Sequence, residues 1–122
     1  MQCVFEEIKT QKPKYLFVHA DGPRTGNEND IEKCKASRSI IEHQVDWDCE
    51  LNILFRDENF GCGKGPASAM TWFFEHVDEG IIIEEDCLPH PDFFEYCSIL
   101  LDRYRYDRRI MIIGGTTYQD NY

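Results

Sequence analysis

Three consecutive carboxylates, Glu84, Glu85 and Asp86, close an isoleucine run in the stretch "EGIIIEEDCLPHPDFFEYC", residues 79–97. Like charges crowded at the end of an apolar strand repel one another, and a cation or a hydroxylated ligand relieves that repulsion. Hard divalent cations such as Mg²⁺ and Mn²⁺ take carboxylate oxygens. They commonly draw only one or two from the protein while substrate phosphates complete the shell. The same letters fit a plainer arrangement, solvated charge ahead of a helix whose N-terminal dipole favours acids. Asp92 and Glu95, in the first turn of that helix, need no more than the dipole.

Two other stretches carry groups of the right type. "DENFGCGKG", 57–65, places glycines before a helix start, where free backbone N–H groups and the dipole favour an anion. It lacks the spacing of a P-loop and of a dinucleotide fingerprint. Lys64 in it fits either a phosphate contact or ordinary solvated charge. "HADGPR", 19–24, ends an apolar run with an acid, a turn and an arginine. Asp21 fits a hydrogen bond to a base or ribose and Arg24 an anion pair, while Asp-Gly also explains itself as a turn. His19, His43, His76 and His90 show no mutual metal-ligand spacing. There is no G-x-S-x-G, no Cys/His pairing set by spacing, and no base beside Ser68.

The elements that must position these groups come from one compact domain, spanning 1–122. The chain has 122 residues, 42% of them hydrophobic, enough for one core and too few for two. Its formal charge of −10, without a basic run or basic helical face, excludes a phosphate-backbone partner such as nucleic acid. No apolar segment approaches the ~20 residues of a membrane helix. The N-terminus shows no signal-peptide order, so the chain reads as cytoplasmic or as a soluble fragment of something larger. Six cysteines lack CxxC or CxxH spacing and read as reduced, buried thiols.

Periodicity predicts a short helix over 2–11, with Val4, Phe5 and Ile8 on one side, and a buried strand over 13–20. A helix follows over 30–42, with Asp30 as N-cap and Ile31, Cys34, Ile40 and Ile41 as apolar positions. Then come a strand over 49–56 and a helix over 66–77 with Pro66 in its first turn. A β-branched strand is expected over 80–84, a helix over 91–106 and a last strand over 109–115. Strict alternation of this kind predicts an α/β sandwich around a mostly parallel sheet, with helices on both faces. Ligands collect at the carboxyl ends of such strands, where "DGPR", "DENFGCGKG", "EED" and "GGTT" all fall.

These pieces together resemble the nucleotide-diphospho-sugar transferases of the GT-A fold, and most nearly the N-acetylglucosaminyltransferase I family and its bacterial homologues. "YLFVHADGPR", the run from "LFRDENFGCGKG" through "IIIEEDCLPHPDFFEYC", and "RIMIIGG" carry the match, about three quarters of the chain. The resemblance implies a Rossmann-like nucleotide-sugar-binding sandwich that binds a UDP-sugar donor through Mn²⁺ or Mg²⁺ and serves a hydroxyl acceptor. It implies Asp86 as metal ligand, Glu84 and Glu85 near the sugar and ribose, and Asp21 on the base. The donor-binding set is then Asp21, Gly22, Arg24, Lys64, Glu84 and Glu85. In such a reaction the metal offsets charge on the departing diphosphate and a separate base deprotonates the acceptor. No residue here is assigned as that base.

Two departures matter. The family's motif is Glu-Asp-Asp, and Glu85 is one methylene longer than its middle acid. The family also begins with a further strand, central in its sheet, and continues past "GGTTYQDNY" into the acceptor region; neither is expected here. Without that strand the chain must close the gap, borrow a strand by self-association, or tolerate an open edge. A partial GT-A domain that keeps the fold without turnover, as a remnant or interaction module, is the rival expectation.

Overall fold

The computed structural model describes residues 1–116. Helix α1, Gln2–Gln11, buries Val4 and Phe5 and ends where Lys12 turns left-handed at φ 45°, its N–H donating to Lys9 C=O (3.1 Å). Pro13 follows, and a proline cannot continue a helix. Strand β1, Tyr15–Ala20, pairs in parallel with β2, Glu50–Phe55, in a register that runs from Tyr15 opposite Glu50 to Ala20 opposite Phe55. Helix α2, Glu28–Gln44, makes the crossover between them. Its cap is Asn27, whose Oδ1 accepts from the N–H of Asp30 (3.2 Å). Asp30, the expected cap, instead takes the Arg24 guanidinium on both of its oxygens.

Alternation along the strands puts the two faces of the pair against different helices. On one face Phe17 meets α3, Gly61–Phe74, edge-on at Trp72 (5.4 Å between centroids) and Phe73 (5.1 Å). On the other face the guanidinium of Arg38, from α2, lies over the ring of Phe55 at 4.9 Å. Helices on both faces are therefore present, as expected.

Among the described residues the buried apolar core holds Val4 and Phe5 of α1 with Ile41 of α2. Phe5 is 4% exposed and its ring lies 6.3 Å from that of Trp47, whose indole N–H donates to Pro13 C=O (2.9 Å). Lys9 reaches across to Gln44 C=O (3.1 Å) and to Asp46 (2.8 Å), fixing α1 to the end of α2.

The second half of the chain departs from the alternation. Helix α4, Asp92–Tyr104, has the expected stripe of Phe93, Cys97, Leu100, Leu101 and Tyr104, but each is half-buried and none fully covered. The strands expected over 80–84 and 109–115 are not formed; the sheet of the described residues is β1 and β2 alone. Among the described residues neither 80–83 nor 111–116 makes a backbone hydrogen bond. β-Branched composition fits a residue to a pleated surface but does not supply the neighbour a strand needs. Glu79, just before the first of these segments, is tied to α4 by Arg105 (2.7 Å). The thiols are all free, as expected, yet Cys3, Cys62 and Cys87 are exposed rather than buried.

Candidate functional site

The carboxyl ends of β1 and β2 are joined to each other and to α3 through one side chain. Asp21 accepts from the backbone N–H of Gly22 (3.0 Å), Phe60 (2.8 Å) and Gly61 (2.9 Å), so both of its oxygens are engaged. The last two donors are the N-terminus of α3. A helix start attracts an anion because its first N–H groups lack partners and its dipole is positive there, and the anion supplied is Asp21 itself. Burial pushes its pKa up, but the three backbone donors together outweigh that and hold the carboxyl below its ordinary range. In this structure Asp21 ties the end of β1 to the start of α3.

Its neighbours serve the same closure. Gly22 N–H donates to Glu58 C=O (3.2 Å), and Asn59 donates back to Gly22 C=O (3.0 Å). A Cβ at Gly22 would stand 2.5 Å from the Glu58 backbone, so the two loops approach this closely only with glycine there. Arg24 is exposed and paired with Asp30. Lys64 is exposed on α3, which begins at Gly61, ahead of the expected start at Pro66. The glycine stretch is consequently the first turn of the helix rather than a loop before it. Pro66, deep enough in α3 that an N–H would have served, leaves the carbonyl one turn earlier without its helical donor.

Arg38 was not singled out from the sequence. Its guanidinium donates to the carbonyls of Asp21 (3.3 Å) and Arg56, clamping the ends of both strands to α2. The signal was legible: Cys34, Arg38 and Ile41 share one helical stripe, and an arginine among apolar positions needs acceptors nearby.

His19, on the same face as Phe17, has its Nε2 buried without a partner. Burial lowers its pKa, Arg56 adds to the effect, and Asp21 opposes it. The unfolded chain therefore binds this proton more readily than the folded one. The contribution to stability is full above pH about 6.5, the free imidazole value, and is lost as the pH falls through the lower folded value. We expect the urea midpoint to drop on acidification through that window, and the drop to be smaller in His19→Leu. An equal slope in both proteins would assign it to other groups.

The acidic triplet lies on an exposed turn, with Cys87 N–H donating to Glu84 C=O (3.1 Å) and Glu85 and Asp86 between them. Among the described residues no cationic side chain pairs with any of the three. All three bear on Cys87: a hydrogen bond to Asp86, then desolvation, then the charges of Asp86, Glu84 and Glu85 push its thiol up. The donors are oxygen only, which suits a hard cation. Among the described residues they do not converge with other His, Cys, Asp or Glu side chains into a set of three ligands.

A separate groove of about 370 Å³ runs between β2 and α3, lined by Leu54, Arg56, Ser68, Thr71, Trp72 and Glu75. None of the expected site residues lines it. Among the described residues no helix is long and apolar enough to cross a membrane. No family model, no curated protein and no solved structure matches the chain.

Proposed function

We propose that the chain is the sugar-nucleotide-binding part of a GT-A-type glycosyltransferase. The observation that carries this reading is the unneutralised triplet Glu84–Glu85–Asp86, exposed on a turn of an α/β chain whose β1–α2–β2 crossover is parallel. Asp86 holds Mn²⁺ or Mg²⁺, with Glu84 and Glu85 toward the ribose and sugar of a UDP-sugar. Lys64, exposed on α3, is free to swing toward the phosphates. The bound cation supplies charge to offset the diphosphate. The chain's own residues bind and orient the donor, and the hydroxyl acceptor and its base are left to other groups.

Titration with UDP-sugars in the presence and absence of Mn²⁺ tests this. Binding should need the cation and weaken at least about 10-fold in Asp86→Asn, the loss of one charged ligand. Binding that ignores the cation, or none at all, overturns the reading. A second reading, a GT-A-like interaction module without turnover, is favoured by one observation: Asp21 has both oxygens occupied by backbone donors.

A further inference from the structure

The molecule exposes 9578 Å², where a compact monomer of this mass exposes about 7000 Å². Part of the excess is apolar surface on the described residues. Its sources can be located. Residues 110–113, "IMII", are consecutive and apolar, with Met111 96% and Ile112 81% exposed. They lack backbone partners beyond the turn at Ile110, whose N–H donates to Asp107 C=O.

The sheet presents the matching deficit. Glu50 N–H donates to Lys14 C=O (2.8 Å) and Arg56 N–H to Ala20 C=O (2.9 Å), so the even-numbered residues of β1 face β2. Alternation then turns the N–H and C=O of Tyr15, Phe17 and His19 to the outer edge, which no strand among the described residues covers. β1 carries no charged residue between Tyr15 and Ala20, whereas natural edges are commonly blunted by charge, proline or a bulge.

We infer that a second copy of this chain covers the edge: residues 110–113 of each protomer add as a strand along Tyr15–His19 of the other, in a two-fold symmetric dimer. An unpaired backbone edge is satisfied in full by another extended backbone. The same chain carries both the open edge and an unpaired apolar segment of strand length, which makes the surface self-complementary as a two-fold interface requires. The formal charge of −10 on each copy opposes the union, so salt strengthens it by screening. Nothing in this pairing depends on donor binding by the acidic turn.

Sedimentation over a concentration series, at low and high salt, tests it. A dimer is expected, tighter at high salt. Ile112→Pro removes an N–H and blocks extended pairing at an exposed position, and should weaken the dimer about 100-fold with unchanged far-UV dichroism. Tyr15→Pro acts on the other side, at the first residue of β1, where the ladder to β2 does not use the lost N–H. A synthetic peptide of residues 108–115 should bind the monomeric Ile112→Pro variant. A monomer at all concentrations, or a dimer indifferent to both prolines, overturns the inference. So does a peptide that fails to bind the variant.

Discussion

Phe5→Ala should lower the unfolding free energy by about 3–5 kcal/mol, the range for emptying a buried aromatic site. Phe5 is 4% exposed and, among the described residues, shares the buried apolar core with Val4 and Ile41. Few other side chains are covered well enough to collapse into the space, so relaxation recovers little. Domains of this size are commonly stable by only about 5–15 kcal/mol, so the loss is a large fraction of the total. Trp47, 6.3 Å from the Phe5 ring, reports the transition by fluorescence in urea. Met111→Ser, at a site 96% exposed, is the matched control and should change the unfolding free energy of the monomeric Ile112→Pro background by less than about 0.5 kcal/mol. A Phe5→Ala loss below about 1 kcal/mol would show that α1 is not an integral part of the fold.

Asp21→Ala should cost about 2–3 kcal/mol, because it strands the N–H groups of Phe60 and Gly61 at the start of α3. Asp21→Asn keeps one accepting oxygen, and asparagine serves a helix N-terminus nearly as well as aspartate, so it should cost roughly half as much. The acid limb separates structure from ligand binding. Asp21 has a folded pKa below its ordinary value, so its stabilisation is present above the unfolded value and is lost as the pH falls through the folded one. Asp21→Asn should flatten that limb in the absence of any nucleotide. Were Asp21→Ala as stable as the parent but deficient in UDP binding, the carboxylate would belong to the donor site after all.

The first half of the fold was legible because its signals are local and mutually consistent. Val4 and Phe5 were placed on the covered side of α1, and both parallel strands fell within about two residues of their observed ends. Stretches 80–84 and 109–115 misled because β-branched composition records the surface a residue suits, whereas a strand needs a neighbour that composition does not name. Start signals also misplaced helix boundaries: Pro66 drew the beginning of α3 too late, and Asp30 was taken for a cap although Asn27 holds that place. Asp21 shows a different limit. A strand-end acid has the same spelling whether it waits for a ligand or satisfies a helix N-terminus, and only the distances to Phe60 and Gly61 separate the two. The stretch "GGTT" reaches residue 117 and so lies partly outside the described residues.

The β1–α2–β2 crossover also has a kinetic meaning. Pairing Tyr15 with Glu50 closes a long stretch of chain, a slow step when the intervening residues are flexible. Here 17 of those residues form α2, and Arg38 of that helix holds the last carbonyl contacts of both strands. A helix forms in about a microsecond and shortens the loop left to close. The crossover is therefore the natural nucleus, and α3 joins when Asp21 is in place to receive it. The turn bearing Glu84, Glu85 and Asp86 lies outside that crossover.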